Sequence, residues 1–131
     1  MRIAVTGGRD YVDRQRVEET LNRIHAATPL DVLIHGDASG ADTLAREWAV
    51  RNGVTHDPYP ADWANIDAMP CRIKVGKNRK PYNALAGFNR NVRMLTLSAP
   101  GLLVAFPGRA GTAHCRAQAL RRGIPVLDVD A

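Results

Sequence analysis

Three short glycine-rich segments carry the residue types that bind phosphate groups. They are residues 7–8, 36–40 and 108–112, and each one follows directly on an apolar run. Glycine lets backbone N–H groups come close to a phosphate, and the N-terminus of a following helix adds partial positive charge. One such segment is ordinary turn chemistry, but three at a single sheet edge predict a phosphate site.

Charged and aromatic side chains near these segments are candidate contacts to a nucleotide. An arginine guanidinium can donate two hydrogen bonds to one phosphate. Arg9, Arg90 and Arg109 either bind phosphate in this way or are ordinary surface charges. Asp42 either accepts a hydrogen bond from a ribose hydroxyl or only favours a helix start, and Trp63 either stacks on a base or packs in the core. The predicted ligand-binding residues are Gly7, Gly8, Arg9, Asp10, Gly36, Asp37, Ser39, Gly40, Asp42, Trp63, Arg90, Asn91, Gly108, Arg109, Gly111 and Thr112.

The scaffold that must position these residues is indicated by hydrophobic periodicity. Helical spacing of apolar residues predicts four helices, the first of them capped by Asp13. Short apolar runs predict strands at residues 3–5, 32–34, 102–106 and 124–127, and residues 54–59 are predicted to form a weaker third strand. Strands and helices alternate along the chain. This order predicts an α/β fold, a Rossmann-like three-layer sandwich of about five parallel strands with helices on both faces. We expect the strand order 3-2-1-4-5, which brings the three glycine-rich segments to one edge.

The 131 residues are enough for a single domain over residues 1–131. Charge is distributed unevenly along them. The net charge is +5, and residues 68–127 contain no acid but eleven of the 18 lysines and arginines. Such a field favours an anionic partner: nucleotide phosphates, nucleic acid or an acidic surface. Residues 65–82 have no clear hydrophobic period and are predicted to form a long basic loop insertion.

Several classes of protein are disfavoured by what the chain contains. No apolar run approaches the roughly 20 residues of a membrane span, and the N-terminal segment is too short for a signal-peptide core, so we expect a cytoplasmic protein without a membrane partner. The glycine-rich segments match neither the Walker pattern nor a full dinucleotide fingerprint. Cys71 and Cys115 lack metal-ligand spacing and are predicted to be free thiols. We therefore predict no metal and no cofactor.

Five motifs in this chain occur together in one known family. The motifs are Thr6-Gly7-Gly8-Arg9-Asp10-Tyr11, His35-Gly36-Asp37-Ala38-Ser39-Gly40-Ala41-Asp42, Pro60-Ala61-Asp62-Trp63, Arg90-Asn91 with Met94, and Phe106-Pro107-Gly108-Arg109-Ala110-Gly111-Thr112-Ala113. With them the chain resembles the YspA-like branch of the SLOG superfamily, which also holds the Lonely-Guy phosphoribohydrolases and the DprA DNA-processing proteins. The resemblance covers nearly the whole chain except the basic stretch, and it implies a Rossmann-like, homo-oligomeric domain that binds nucleotides or derivatives such as ADP-ribose.

The resemblance leaves catalysis open. Lonely-Guy enzymes carry Pro-Gly-Gly-x-Gly-Thr-x-x-Glu, whose glutamate assists cleavage of an N-glycosidic bond. Here Arg109 replaces the second glycine, and Cys115 stands at the glutamate position. A thiol with an ordinary pKa of about 8.5 cannot stabilise an oxocarbenium-like state as a carboxylate does. Any catalytic carboxylate must come from elsewhere, and the candidates are Asp10, Asp42 and Asp62.

Three functions follow from these observations. The first is sensing or sequestering of a nucleotide-derived small ligand, such as an ADP-ribose-like molecule, through the glycine-rich loops. The second is hydrolysis of a nucleotide or nucleotide-sugar N-glycosidic bond. The third is nucleic-acid binding, favoured by the acid-free half of the chain. Salt dependence separates the third from the first, because binding to a phosphate backbone weakens steeply as salt rises.

Overall fold

A five-stranded parallel sheet lies at the centre of the molecule. The computed structural model describes residues 1–68 and 70–130. The sheet order is β3-β2-β1-β6-β7, and β4 with β5 forms a separate antiparallel hairpin. In chain order the elements are β1 (Arg2–Thr6), α1 (Arg14–Ala27), β2 (Val32–His35), α2 (Ala41–Arg51), β3 (Thr55–Pro58), β4 (Ile73–Val75), β5 (Pro81–Asn83), α3 (Ala86–Ser98), β6 (Leu102–Ala105), α4 (Ala110–Arg121) and β7 (Val126–Asp128).

The predicted Rossmann-like fold and its strand order are confirmed. Without the hairpin, the five parallel strands follow the order 3-2-1-4-5. Strand β1 pairs with β2 on one side and with β6 on the other, so the winding of the chain reverses at β1. The carboxyl ends of β1, β2 and β6 therefore open onto one edge, where doubly wound sheets bind ligands.

Two apolar layers hold the helices against the sheet. On one face α1 and α2 bury Leu21 and Trp48 against strand residues such as Val5. On the other face α3 and α4 bury Met94 and Cys115 against the remaining strand side chains. The predicted cap of α1 is present, because an Asp13 carboxylate oxygen accepts a hydrogen bond from the Arg16 backbone N–H at 3.0 Å.

The structure corrects two predicted elements. The hairpin β4–β5, which ends at Asn83, occupies the second half of the predicted loop over residues 65–82. Its strands have three residues each, and Ile73 and Val75 are 58% and 67% exposed, so no core-facing pattern marked them. The apolar spacing predicts the last helix over about residues 113–122, whereas α4 begins three residues earlier, at Ala110, and its N-cap Arg109 makes no side-chain capping hydrogen bond.

The helices are short relative to a bilayer. Among the described residues, no helix has the length and hydropathy that crossing a membrane requires.

Candidate functional site

A cleft of about 580 Å³ lies at the carboxyl ends of the strands, where the winding reverses. Most of the predicted ligand-binding residues line it, together with Phe88 and Gly87 of α3, which the sequence analysis missed. Those two residues carry no charge and follow no strand, so no local signal identified them. The predicted residues that line the cleft are Gly7, Gly8, Arg9, Asp10, Gly36, Asp42, Trp63, Arg90, Asn91, Arg109, Gly111 and Thr112.

The predicted residues Asp37, Ser39, Gly40 and Gly108 do not line the cleft. Ser39 and Gly40 instead hold two loops together: the Ser39 hydroxyl donates to the Arg9 carbonyl at 3.1 Å, and Gly40 has a φ of 75°. A β-carbon at Gly40 would overlap the backbone of the β1–α1 loop. Asp37 is exposed, with a positive φ of 55°.

Asp62, a candidate catalytic acid, also lies outside the cleft lining. Its carbonyl accepts a hydrogen bond from the Asn65 N–H at 3.2 Å, and its side chain is exposed. Asp10 and Asp42 are the two candidate acids that the structure places at the cleft.

Asp42 fills the anion site of the β2–α2 loop with the protein's own carboxylate. Its Oδ2 atom accepts hydrogen bonds from the N–H groups of Gly36 at 3.1 Å and Ala38 at 3.3 Å. These two N–H groups are therefore occupied, in contrast to the phosphate-binding role predicted for this segment. Asp42 lies only six and four residues after Gly36 and Ala38 in the sequence. The direction of its side chain is nevertheless set by helix α2, in which it lies.

The second oxygen of Asp42 has no hydrogen-bond partner among the described residues. Asp42 is 6% exposed, and its buried Oδ1 atom makes no hydrogen bond with the described residues. Burial raises the pKa of this carboxyl to about 6, against the opposing effects of the nearby Arg90 charge and the two loop N–H groups. A buried acceptor left unpaired costs about 1–3 kcal/mol, so Oδ1 is a site that favours a donor.

The N-terminus of α4 lines the cleft, and Arg109 in front of it lies 3.8 Å from the Asp10 carboxylate. Arg109 precedes the helix, is 90% exposed, and within residues 1–68 and 70–130 no side chain caps the first turn. A β-carbon at Gly111 would meet no atom within 4 Å, whereas one at Gly108 would overlap Thr112 and lie 2.8 Å from the Gly8 nitrogen. Gly108 thus packs two loops together, while Gly111 leaves the helix N-terminus accessible.

Arg90 and Asn91 of α3 connect the loops on either side of the cleft. The Arg90 guanidinium donates to the Gly36 carbonyl, and its Nε donates to the Asn91 Oδ1 atom at 2.9 Å. The Asn91 amide donates to the Gly111 carbonyl at 3.1 Å. Burial lowers the pKa of Arg90, which Asp42 opposes. Arg90 therefore acts first as a bridge between loops and only secondarily as a positive charge in the cleft.

Trp63 and Arg9 form one wall of the cleft. The Arg9 guanidinium carbon lies 5.0 Å from the centroid of the Trp63 ring, within the range of a cation–π contact. Tyr82 of the hairpin approaches the same ring edge-on, with centroids 6.5 Å apart. Trp63 is half-buried and lines the cleft. Its position suits the stacking alternative better than the core alternative.

Two titratable groups near the cleft are unreactive because they are buried. Burial raises the pKa of the Cys115 thiol to about 11, so the residue at the Lonely-Guy glutamate position is a neutral core side chain. Burial also lowers the pKa of His35 to about 4. His35 accepts from the Asp37 N–H through Nδ1 at 3.0 Å and faces His56 through Nε2 at 3.0 Å, which fixes a neutral tautomer.

The described residues give no sign of a metal centre or a disulfide. Among them no group of three His, Cys, Asp or Glu side chains is arranged to hold a metal ion. Cys71 and Cys115 are both free thiols.

The fold and the cleft place the chain in the class of Rossmann-like α/β domains with a site at the switch point of the sheet. A family model described as "YspA, cpYpsA-related SLOG family" matches residues 1–65. The Gene 61 protein of Mycobacterium phage D29 is 33% identical over 135 residues, covering 97% of this chain and 94% of that protein. The chain therefore belongs to the YspA-related SLOG family, which confirms the resemblance drawn from its motifs.

Solved structures share the fold of this chain. DNA processing protein A (DprA) from Streptococcus pneumoniae superposes with a TM-score of 0.68 at 19% identity, over 97% of this chain and 49% of that one. DprA from Helicobacter pylori, studied for its single-stranded DNA binding mode, superposes with a TM-score of 0.65 at 18% identity, over 98% of this chain and 64% of that one. The chain thus spans about half to two thirds of the DprA chains it matches.

Proposed function

We propose that this protein binds single-stranded nucleic acid, with one nucleotide seated in the cleft at the sheet edge. The observation that carries the proposal is that the basic hairpin is attached to the Trp63 wall of the cleft. The Asn83 N–H of β5 donates to the Trp63 carbonyl at 2.7 Å, and Ala84, directly after β5, lines the cleft. A strand leaving the cleft past Trp63 would run along this hairpin.

The hairpin supplies the charge that a phosphate backbone requires. Its cations are exposed, and no acid occurs between residues 68 and 127. Cationic side chains that neutralise backbone phosphates release counterions, and this release supplies a large share of the binding free energy for nucleic acids. The cations of the hairpin region are Arg72, Lys74, Lys77, Arg79 and Lys80.

The aromatic wall supplies the second requirement, a surface on which bases stack. Trp63 and Tyr82 are both partly exposed and lie edge to face beside Arg9. Base stacking on an aromatic side chain is worth about 1–3 kcal/mol per base, and arginine adds a cation–π contribution. The shared fold with the H. pylori DprA chain, whose single-stranded DNA binding mode has been described, supports nucleic acid over a small ligand.

The test is fluorescence anisotropy of a labelled single strand of about 16 nucleotides, titrated between about 50 and 200 mM salt. We expect the affinity to fall at least tenfold over this range. The double variant Lys74→Gln/Lys77→Gln should reduce the salt slope by about 1.4, because each phosphate contact on a single strand contributes about 0.7. The control Arg23→Gln/Arg121→Gln changes the same charge on exposed helical positions away from the hairpin. Equal slopes for both double variants would contradict the proposal.

A second candidate function is binding of a nucleotide-derived small ligand such as ADP-ribose, for sensing or sequestering it. The volume of about 580 Å³ favours it, because small-molecule sites usually enclose about 300–1,000 Å³. Titration calorimetry with AMP and ADP-ribose at the same two salt concentrations tests it. Micromolar binding that changes little with salt, without binding of single strands, would favour the small ligand over the nucleic acid.

A further inference from the structure

We propose that a second surface of this protein, the groove between α3 and α4, binds an acidic amphipathic helix of a partner protein. The groove has a volume of about 620 Å³ and is lined mainly by residues of these two helices. It lies beside the cleft, since Phe88 lines both, but its other lining residues are distinct from those of the cleft. The proposal therefore stands apart from nucleic-acid binding at the sheet edge.

Helix α3 has two apolar faces, and the sheet covers one of them. Met94 and Leu95 are 1% and 2% exposed and pack against the strands. The groove-lining residues of α3 and its N-cap recur every three or four positions, so they form a separate, continuous face of the helix. An apolar face left open in this way is typical of a protein-binding surface. Its apolar members are only partly buried, up to the 62% exposed Leu97, and are Leu85, Phe88, Val92 and Leu97.

Helix α4 forms the other wall of the groove. The His114 ring stacks on Phe88, with ring centroids 4.2 Å apart and an interplanar angle of 13°, and Gln118 lies one helical turn further along. From Leu85 to Leu97 the groove follows α3 for about 18 Å, the length of about 12 helical residues. A groove bounded by two helices accepts the apolar face of a third helix, whose side chains three and four residues apart act as anchors.

Cations lie at the rim of the groove. Arg93 lines it, and the Arg122 guanidinium lies at its side, where it donates to the Thr96 hydroxyl at 3.4 Å. Neither arginine forms an ion pair with a residue of the ranges 1–68 and 70–130. Burial lowers the pKa of His114, and the charges of Arg121 and Arg122 lower it further, so the positive field reaches into the groove. This surface therefore favours carboxylates around an apolar centre.

An acidic amphipathic helix fits this surface better than a nucleic acid or a second copy of the chain does. A nucleobase has polar edges, and a mainly apolar groove leaves most of them without hydrogen-bond partners. In a symmetric pair of copies the groove would face itself, so Arg93 and Arg122 would meet like charges. Leucine side chains of a helix bury apolar area in the groove, while carboxylates beside them pair with the two arginines.

The experiment measures the binding of three fluorescently labelled peptides by anisotropy. Each has about 18 residues, enough to form a helix in water and to span the groove. The first carries leucines three and four residues apart on one face and glutamates on the other. The second has lysines in place of the glutamates, and the third keeps the acidic composition but spreads the leucines around the helix. We expect the first to bind about tenfold or more tightly than the others, because each of them lacks one half of the match.

Leu97→Asp tests the groove from the protein side. Leu97 is exposed enough for the fold to tolerate the change, and an acid there removes an apolar contact and repels the glutamates of the peptide. We expect the affinity for the acidic peptide to fall about tenfold or more. Leu120→Asp is the matched control, because Leu120 is 51% exposed on α4 and does not line the groove. It should change the affinity by no more than about twofold.

The double variant Arg93→Gln/Arg122→Gln tests the match of charge. Loss of two partly exposed ion pairs should weaken binding of the acidic peptide roughly threefold to tenfold. The control Arg23→Gln/Arg46→Gln removes the same charge from exposed positions of α1 and α2, on the other face of the sheet, and should leave the affinity nearly unchanged. Equal losses in the two double variants would show that only net charge matters and would overturn the proposal.

The remaining outcomes also decide against the proposal. Equal binding of the acidic and the lysine peptide, or binding of neither, overturns it. Equal weakening by Leu97→Asp and Leu120→Asp places the peptide on another surface. If Leu97→Asp weakens a labelled single strand more than Leu120→Asp does, the groove belongs to the nucleic acid. If no peptide binds and sedimentation shows that Leu97→Asp alone separates a dimer, a second copy covers the groove.

The test also separates this inference from the proposed function. Peptide binding without binding of single strands contradicts the proposed function alone, and the reverse contradicts the inference alone. Should Leu97→Asp fail to fold, Thr96→Glu replaces it, because Thr96 is exposed in the same groove and an acid there repels the same peptide.

Discussion

Replacing Gly111 by valine should abolish tight binding while leaving the fold intact. Gly111 is the second residue of α4 and lines the cleft at the helix N-terminus. A β-carbon built there meets no atom within 4 Å, and the φ angle of Gly111 does not lie in the left-handed region that disfavours side chains. The valine side chain therefore extends into the cleft, over the N–H groups that a phosphate would approach.

The expected magnitudes differ between stability and binding. Valine is slightly better than glycine inside a helix, by a few tenths of a kcal/mol, so the melting temperature should move by no more than about 2 °C. An anion at a helix N-terminus gains about 0.3–2 kcal/mol from the helix dipole, and each charged hydrogen bond contributes about 1.5–3 kcal/mol. Displacing the phosphate should therefore weaken binding roughly tenfold to a hundredfold.

The assay is anisotropy of a labelled single strand, alongside thermal unfolding followed by circular dichroism. Ala117→Val is the matched control, because Ala117 is an exposed residue of the same helix that does not line the cleft. It should cost about 0.6 kcal/mol of helix propensity and leave the affinity unchanged. Gly108→Ala is the opposite case: crowding against Thr112 should destabilise the fold by about 1–3 kcal/mol. A folded Gly111→Val variant with undiminished affinity would refute the placement of the phosphate at α4.

Three further predictions concern the hairpin, catalysis and pH. Replacing residues 74–80 with a two-glycine turn should leave a cooperative thermal transition, because Val75 is 67% exposed; an insoluble or molten product would show that the hairpin supports the core. The pure protein should release no free base from AMP on long incubation, as chromatography would detect, because the buried Cys115 replaces the glutamate; release that disappears in Asp42→Asn would contradict this. The native pKa of Asp42, about 6, exceeds the unfolded value of 3.8, so its stabilising effect is full below pH 3.8 and lost as the pH rises through about 6. Between about pH 4 and 7 denaturant titrations should show wild type losing about 2 kcal/mol relative to Asp42→Asn, and a constant difference would show that Asp42 has an ordinary pKa.

The hydrophobic pattern of short segments predicted the helices and most of the strands, because these elements depend on interactions within the segment. The continuous apolar runs became the central strands β1, β2 and β6, because a strand buried on both faces needs such a stretch, whereas the edge strands β3 and β7 are largely unburied. Asp13 capped α1 as predicted, since its bond to the Arg16 N–H lies within one helical turn. The hairpin was missed because its strands are short, exposed and without a buried face.

The residues of the cleft were predictable as a group, and their individual roles were not. The topology rule brings the ends of β1, β2 and β6 together, so the sequence sufficed to place Gly7, Asp42 and Gly111 at one edge. Phe88 and Gly87 entered the cleft from α3, whose angle against the sheet depends on the packing of the whole layer. The predicted homo-oligomer stays a prediction, which sedimentation of the purified protein would test.

The sequence by itself determined the fold class, the strand order and the edge at which a ligand would lie, because hydrophobic period and crossover handedness are properties of short segments. Only the tertiary structure decided which polar groups at that edge are still available. The Arg90 guanidinium donates to the Gly36 carbonyl, 54 residues away along the chain, and one oxygen of Asp42 accepts from two loop N–H groups. Such pairing depends on how distant segments meet after folding, for Arg90, and on the direction that α2 gives the side chain, for Asp42. No spacing along the chain encodes it.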